Sequence, residues 1–294
     1  MMRVLVTGAS GMLGGRLAQL LAKRFDVVAA CHHSAVPVGL ERVSMDLESA
    51  ESVEQAFVAS KPQAVLHAGA WAFTDLCERD PDKARRINVD GSQAVARACA
   101  ERDLRVVAIS TDLVFPGTRA WSDEAQSTAP VMMYGVTKLQ GEEAALAAAP
   151  RAVVARVPLI VGRGYGARST ATEAVGWALR AGRPLTLFTD QFRTPADAES
   201  VVEALAVLLT GTQTGRFHLG GSERVSRHEL GVRVARVHGL PTDGIAAVPQ
   251  DSVPAAAPRA ADVSMDSSRA RRELGYKPRA LDEMIADDRT GPVA

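Results

Sequence analysis

Three glycines at a regular spacing follow the first apolar run of the chain, and they restrict its fold more than any other feature. The run RVLVT (3–7) is typical of a strand, and Gly8, Gly11 and Gly14 stand where a helical pattern begins. At such a turn the first glycine permits a sharp bend, the second admits a pyrophosphate and the third lets the helix pack closely. The spacing is GxxGxxG rather than GxGxxG. A plain strand-helix turn is the alternative, but the position in a βαβ pattern favours nucleotide binding.

Strand-like and helical segments alternate through the first half of the chain. Further strands are predicted for DVVAAC (26–31), AVLHAGA (64–70), LRVVAIS (104–110) and AVVARVP (152–158), and helices over 11–25, 81–101 and 132–148. Near-continuous apolar strands separated by helices indicate a parallel sheet that is covered on both faces. We therefore predict a doubly wound, Rossmann-type α/β domain over residues 1–162.

The pattern changes after residue 162. The later segments predict helices around 170–181, 197–210 and 226–238, strands at 185–188 and 216–221, and a Pro/Ala-rich linking stretch over 248–258. We expect a smaller α+β substrate lobe over residues 163–294. The helix over about 197–210 is considered as an element that packs back on the first domain.

Composition excludes several classes of protein. The 34 basic and 34 acidic side chains balance, and no basic stripe with interleaved aromatics occurs, so we expect no nucleic-acid partner. No apolar run approaches the roughly 20 residues that cross a bilayer, and the first residues lack a signal-peptide core. We therefore expect a cytoplasmic protein with no membrane partner.

The cysteines and histidines indicate no metal site. Cys31, Cys77 and Cys99 are odd in number and widely spaced, which fits buried thiols better than disulfides or a zinc knuckle. The six histidines form no HExxH pattern.

The stretch YGVTK places Tyr134 and Lys138 four residues apart, so both side chains fall on one face of the predicted helix. Alone, such a pair is more often a solvated surface contact. The glycine loop, and Thr111 at the carboxyl end of a predicted strand, favour a catalytic pair, because ligands of open α/β sheets bind at that edge.

The end of the second strand indicates which cofactor is bound. An acidic residue usually stands there when the ribose carries no 2′-phosphate, whereas this chain has His32, His33 and Ser34 after Cys31. Since no carboxylate stands at this position, a 2′-phosphate would not be repelled, and Arg16 is a further candidate to bind it. We expect NADPH, with NADH possible.

Several motifs occur in the order seen in one enzyme superfamily. They are TGASGMLG (7–14), SMDL (44–47), HAGA (67–70), INVDGS (87–92), STDLVFPG (110–117) and YGVTKLQGEE (134–143). In these motifs the chain resembles the extended short-chain dehydrogenases/reductases. Over nearly its whole length it most closely resembles the dTDP-4-dehydrorhamnose reductases.

The resemblance implies roles for three catalytic residues. Tyr134 would protonate a carbonyl oxygen, Lys138 would favour the phenolate and bond the nicotinamide ribose, and Thr111 would orient the carbonyl. The alternative to a catalytic role for Thr111 is that its side chain caps a turn.

The resemblance also implies binding residues. Cofactor contacts are expected from Gly8, Ser10, Gly11, Met12, Leu13, His32, His33, Asp46, Leu47, Ala68, Gly69, Ala70, Asn88, Tyr134, Lys138 and Val157. Substrate contacts are expected from Thr74, Thr111, Gln191 and Arg193. Arg193 would pair with a diphosphate, and a solvated arginine is the alternative.

The activity implied is NADPH-dependent reduction of the 4-keto group of a nucleotide-linked 6-deoxysugar. Leu113 stands where related dehydratases carry a glutamate, which argues against dehydration. An NAD-dependent nucleotide-sugar epimerase and a non-catalytic, NADP-binding regulatory subunit are the alternatives. The expected partner is the nucleotide sugar, and a homodimer is possible.

Overall fold

The computed structural model describes residues 1–291, and its first half alternates strands with helices as predicted. The strands are β1 (Arg3–Thr7), β2 (Asp26–Cys31), β3 (Glu41–Ser44), β4 (Ala64–His67), β5 (Arg105–Thr111) and β6 (Ala152–Val157). The helices are α1 (Met12–Leu21), α2 (Ala50–Ser60), α3 (Thr74–Arg79), α4 (Pro81–Arg85), α5 (Gly91–Ala100) and α6 (Met133–Ala148).

The second half has shorter strands. These are β7 (Ile160–Val161), β8 (Leu185–Phe188), β9 (Phe192–Arg193), β10 (Ala196–Asp197), β11 (Gly215–His218), β12 (Val225–Ser226) and β13 (Ile245–Val248). The helices are α7 (Ala171–Arg180), α8 (Ala198–Thr210), α9 (Arg227–Val237), α10 (Ser268–Leu274) and α11 (Leu281–Ala286).

Seven parallel strands form the central sheet, in the order β11-β6-β5-β4-β1-β2-β3. The strand order reverses at β1, which pairs with β2 on one side and with β4 on the other. In such sheets the ligand crevice lies beyond the carboxyl ends of the strands at the reversal. The predicted doubly wound, Rossmann-type fold is confirmed.

Both faces of the sheet are covered by helices, which explains the near-continuous apolar strands. On one face α1 and α8 contribute Leu17 and Leu205 to a core that includes Val6 and Val153. On the other face α2, α5 and α6 pack residues such as Phe57 against the opposite sides of the same strands.

The chain returns to the central sheet after residue 162. Strand β11 pairs with β6 at the sheet edge, and α8 shares the core of α1. The sequence assigns residues 216–221 to the substrate lobe, and that assignment is wrong for β11, because its apolar Phe217 is buried in the central core. The division at residue 162 stays a prediction, and residues 292–294 of the expected lobe lie outside the described part.

Apart from α10, whose Ala270 and Leu274 join the central core, most of the remaining elements form the smaller lobe. Helices α7, α9 and α11 enclose a separate apolar core with residues of β8, among them Val175, Leu187, Leu230 and Ile285. Helices α7 and α9 each begin with a capping box, Thr170 with Glu173 and Ser226 with Glu229.

Several local features differ from the sequence prediction, and two of them are described here. The helix expected over 81–101 is interrupted by a π-helical turn at Arg86–Asp90, which carries the buried Asn88. Strand β3 was not predicted, because its sequence ERVS is mostly polar and mostly exposed.

Candidate active site

A cleft of about 910 Å³ runs along the carboxyl edge of the sheet, between the glycine loop and the smaller lobe. Most of the expected site residues line it: Gly8, Ser10, Gly11, Met12, Leu13, Ala68, Ala70, Thr74, Thr111, Tyr134, Lys138, Val157, Gln191 and Arg193. The structure therefore brings together the glycine loop, the Tyr-Lys pair and the expected substrate residues.

Six expected cofactor residues do not line this cleft: His32, His33, Asp46, Leu47, Gly69 and Asn88. His32 and His33 lie beyond the carboxyl end of β2, exposed and stacked on each other. The His32 Nε2 atom lies 3.7 Å from an Asp46 carboxylate oxygen. Gly69 is buried and bonds to Thr7, and Asn88 is buried and bonds to Trp71.

The glycine loop packs closely against neighbouring backbone, and two of its positions accept only glycine. Gly8 has a φ of 66°, and a Cβ atom there would come within 2.6 Å of the Gly69 Cα. A Cβ atom at Gly14 would overlap the Gly8 carbonyl oxygen. At the start of α1, Gly11 supplies no side-chain cap, so backbone N–H groups of the first turn face the cleft end of the helix. This arrangement fits a dinucleotide pyrophosphate.

Lys138 is buried in the cleft wall, and its ammonium donates a 2.8 Å hydrogen bond to the Ile109 carbonyl oxygen. Burial lowers its pKa to about 8, against the opposing effect of the Glu142 carboxylate. Because charge is costly to bury, this lysine changes protonation state near neutral pH.

Tyr134 lies one turn before Lys138, but its pKa does not follow the expectation. Burial raises the pKa of the phenol, and the Asp112 charge raises it further. Desolvation is the largest effect, so the net shift is away from the phenolate. The Lys138 ammonium bonds to the Ile109 carbonyl oxygen, and its effect on the phenol stays a prediction. The structure holds the phenol in its protonated form.

Thr111 ends β5 and takes part in a short turn. Its hydroxyl donates to Asp112 Oδ1 at 2.9 Å and accepts from the Leu113 N–H at 3.2 Å. The capping reading of Thr111 is therefore correct, and it is compatible with a place in the cleft wall.

Asp112 is buried, and its Oδ2 atom has no hydrogen-bond partner among residues 1–291. Burial raises the pKa of this carboxyl, and the Arg193 charge, 4.0 Å away, opposes the rise. An unpaired buried acceptor is costly, so a polar group of a ligand would be stabilised there.

Two arginines face the same part of the cleft. Arg193 is 6% exposed and donates to the carbonyl oxygens of Phe192, Ala260 and Ala261, so it is not a solvated arginine. Arg227, at the start of α9, lines the cleft, and its Nη1 atom is buried without a partner in the described chain. Burial, and then the Arg193 charge, lower the pKa of Arg227 to about 10. Two neighbouring cations, one of which has an unused N–H group, favour an anionic ligand.

Sequence reasoning missed Arg227, Arg42 and the apolar wall at 254–258. Arg42 on β3 donates to the His32 carbonyl oxygen at 3.3 Å, which places a guanidinium beside the two histidines. Residues 254–258 line the cleft, although their composition predicts only a linker. Arg16 cannot help with a phosphate as expected, because it is paired with Glu199 of α8.

Two further searches concern the described residues alone. Within residues 1–291, no cluster of three or more His, Cys, Asp or Glu side chains is arranged to hold a metal ion. None of the helices in that range combines the length and the apolar character that a bilayer crossing requires.

Comparison with known proteins agrees with this geometry. The family model described as the RmlD substrate binding domain matches residues 2–288. The chain belongs to this family. The resemblance to dTDP-4-dehydrorhamnose reductases within the extended short-chain dehydrogenases/reductases is thereby confirmed.

Proteins with different names are similar to the chain. The "Probable low-salt glycan biosynthesis reductase Agl14" of Haloferax volcanii is 30% identical, over 97% of this chain and 96% of its own length. The dTDP-4-dehydrorhamnose reductase of Mycolicibacterium smegmatis is 30% identical, over 91% of this chain and 79% of its own length. The methionine adenosyltransferase 2 subunit beta of Pongo abelii is 29% identical, over 91% of this chain and 81% of its own length.

Solved structures share the fold. A hypothetical dTDP-4-dehydrorhamnose reductase from Sulfolobus tokodaii has a TM-score of 0.83 and 30% identity, over 96% of this chain and 98% of its own. The dTDP-4-dehydrorhamnose reductase of Bacillus anthracis, in complex with NADP, has a TM-score of 0.85 and 23% identity, over 97% of this chain and 98% of its own.

Proposed function

We propose that the chain is an NADPH-dependent reductase of the 4-keto group of a nucleotide-linked 6-deoxysugar. The observation that carries this proposal is the cleft that joins the glycine loop to Thr111, Tyr134 and Lys138. Its relatives named as reductases support the same reaction class.

The cofactor site is built from the carboxyl ends of β1, β2, β4 and β6. The amides around Gly8, Ser10, Gly11, Met12 and Leu13 bind the pyrophosphate. Asp46 and Leu47 bind the adenine, and His32, His33 and Arg42 meet the 2′-phosphate. Ala68, Ala70 and Val157 border the nicotinamide half, and the buried Gly69 and Asn88 support this border from behind. When bound, the reduced nicotinamide supplies the hydride.

The chain itself supplies the proton. A hydride added to C4 of the sugar leaves negative charge on the carbonyl oxygen, and the Tyr134 phenol donates its proton there, giving the alcohol. The raised pKa of Tyr134 keeps this proton in place until the substrate arrives. Lys138 bonds the ribose and stabilises the phenolate that remains, and Thr111 orients the carbonyl.

The substrate lies between the sheet edge and the smaller lobe. Arg193 and Arg227 bind the diphosphate, because both guanidinium groups face the cleft and one has an unused N–H. Thr74 and Gln191 contact the sugar nucleotide from opposite sides of the cleft. A cytoplasmic location and a homodimer stay predictions.

Two other functions share this fold. An epimerase would retain NAD through its cycle, and the chain has no carboxylate at the end of β2, where such enzymes bind the ribose. A regulatory subunit is suggested by the similarity to methionine adenosyltransferase 2 subunit beta. The partly buried Tyr134, whose raised pKa favours the protonated phenol, lies one turn from Lys138 in an open cleft, and this favours catalysis over binding alone.

The test is NADPH oxidation by the purified protein with dTDP-4-keto-6-deoxyhexose, beside the Tyr134→Phe variant and with NADH as second cofactor. We expect turnover that falls by at least about 100-fold in the variant, because general acid catalysis contributes 10²–10⁴-fold. NADPH binding without turnover on this ketone would reject the reductase and favour the regulatory reading. Tightly bound NAD after purification would favour the epimerase.

A further inference from the structure

A chain of buried polar side chains crosses the molecule beneath the floor of the cleft. Thr7, at the end of β1, bonds to His67 Nδ1 at 2.8 Å, and His67 Nε2 bonds to the Ser92 hydroxyl at 3.0 Å. Ser92 then donates to the Asn88 carbonyl oxygen at 2.7 Å. All four residues are at most 3% exposed. The chain joins β1 and β4 to the helices on one face of the sheet.

The proton positions along this chain follow from its two ends. The Ser92 hydroxyl donates to a carbonyl, so its oxygen must accept the hydrogen of His67 Nε2. His67 Nδ1 then has no hydrogen and accepts from the Thr7 hydroxyl, whose oxygen accepts from the Gly69 N–H at 3.0 Å. Burial, and then the Lys138 charge, lower the pKa of His67 to about 3, so the ring stays neutral. A single tautomer satisfies every group.

The two ends of the chain hold the cleft floor. Gly69 bonds to Thr7, and the Trp71 N–H and carbonyl bond to the Asn88 side chain at 2.7 and 3.2 Å. Ala70, between them, lines the cleft. The Asn88 amide also donates to the Thr137 hydroxyl on α6 at 3.1 Å. Thr137 stands between Tyr134 and Lys138 in the sequence.

We propose that His67 is a positioning residue, which together with Thr7, Ser92 and Asn88 holds the cleft floor at 68–71 in register with the helix that carries Tyr134 and Lys138. The inference rests on the proposed function, since it concerns the alignment of cofactor and proton donor. An imidazole suits this place because its two nitrogens, one acceptor and one donor, lie on opposite sides of a rigid ring. Within the described residues, His67 bonds to Thr7 of β1 and to Ser92 of α5, and Ser92 continues to Asn88 of the π-helical turn.

The experiment compares two serines in matched settings. Ser92 and Ser60 are both buried, and each donates to the carbonyl oxygen four residues earlier in its helix. Only Ser92 also accepts from His67. Ser92→Ala and Ser60→Ala therefore lose the same local bond, and only Ser92→Ala interrupts the hydrogen bonds that run from Thr7 through His67 to Asn88.

For Ser92→Ala we expect kcat to fall about 10-fold while the KM for the nucleotide sugar changes less than about 2-fold, because misplacement by a fraction of an ångström lowers the rate without removing substrate contacts. For Ser60→Ala we expect both values to stay within about 2-fold of the parent protein. Equal effects of the two variants on kcat would overturn the proposal.

Variants at the ring test the same idea by rescue. His67→Leu leaves the Thr7 and Ser92 hydroxyls buried without partners, and we expect a loss in kcat of about 100-fold. His67→Gln restores one acceptor and one donor, so we expect it to recover at least about 10-fold of that loss. If His67→Leu does not fold, the Ser92→Ala comparison and the kcat of His67→Gln against the parent decide the question. A His67→Gln variant no more active than a folded His67→Leu would contradict the proposal.

NADPH affinity, followed by the fluorescence of the bound nucleotide, separates this proposal from the proposed function. We expect Ser92→Ala to weaken binding at least about 3-fold and Ser60→Ala to leave it unchanged, because the floor contacts the cofactor. If the parent protein shows no turnover, the proposed reductase function is rejected. The comparison of NADPH affinities then decides by itself whether the hydrogen-bonded side chains around His67 position the cleft floor.

Discussion

Glu142 follows Lys138 by one turn of α6, and its carboxylate bonds both Arg156 Nε at 2.9 Å and Arg156 Nη2 at 2.8 Å. Arg216 and the Ser110 hydroxyl donate to the same carboxylate. Glu142 and Arg156 are only 1% and 2% exposed, so the pair is a buried ion pair directly behind the cleft wall. The negative charge of Glu142 also raises the pKa of Lys138, against the larger effect of burial.

We expect the reductase activity to fall as the pH rises above about 8. The Lys138 ammonium loses its proton as the pH passes the folded pKa of about 8, whereas the pKa of Tyr134 is raised and lies outside this range. A plot of log kcat/KM against pH should therefore fall with a slope of about −1, since that parameter reports ionisations of the free enzyme. In Glu142→Gln the falling limb should move to lower pH, because the charge that opposes the shift is gone. A limb at the same pH in both proteins would contradict the assignment.

Glu142→Gln should also destabilise the protein, by about 3 kcal/mol, because it leaves the buried Arg156 without its counter-charge. Urea unfolding measures the loss. The control is Glu273→Gln, which breaks the exposed pair of Arg269 and Glu273 and should cost less than about 1 kcal/mol. Similar losses in the two variants would refute the importance of the buried pair.

The same carboxylate gives stability a pH dependence of known sign. Burial raises the pKa of Glu142, but the bonds and charge of Arg156 and the bonds of Ser110 and Arg216 outweigh it, so the net shift is downward. A lowered folded pKa means that the contribution is present above the unfolded pKa and is lost as the pH falls through the folded one. The acid limb of a stability curve should therefore be less steep in Glu142→Gln.

Arg227→Gln should raise the KM for the nucleotide sugar about 10-fold or more and leave NADPH affinity within about 2-fold, because it removes a charged contact to a diphosphate. The control is Arg233→Gln on the same helix, where the arginine pairs with Glu223 and Asp282. Steady-state kinetics with varied sugar nucleotide measure both. A KM that changes equally in the two variants would exclude Arg227 from the substrate site.

Arg42→Ala should raise the KM for NADPH about 10-fold and leave the KM for NADH nearly unchanged, because only NADPH carries the 2′-phosphate. Arg24→Ala is a suitable control, since Arg24 is an exposed arginine that pairs with Glu203. If the two cofactors respond alike to Arg42→Ala, the phosphate lies elsewhere.

The first half of the fold and most of the cleft could be predicted from sequence, because they depend on local patterns. Apolar strands, glycine spacing and the four-residue Tyr-Lys interval are each encoded within a short segment. The proximity of Thr111 to Tyr134 followed from one rule about where parallel strands end.

Other features could not be predicted, because they depend on segments that are distant in the chain. Arg227 faces Arg193 only after β9 and β12 pair. The pKa of Tyr134 depends on burial, which a motif does not contain. Strand β11 resembles any short edge strand, and its place beside β6 is set by the packing of Phe217.

The place of β11 limits how relatives of this chain can exchange parts. A fragment cut at residue 162 would leave β6 as an open edge with unpaired N–H and carbonyl groups, and would expose the apolar surface that α8 covers. A hybrid that takes its sugar specificity from another family member must therefore keep residues 198–218 with the parent sheet. It must also keep α10, whose Ala270 and Leu274 belong to the same core. The transferable portions are two separate inserts on either side of that segment, each with its own pair of junctions.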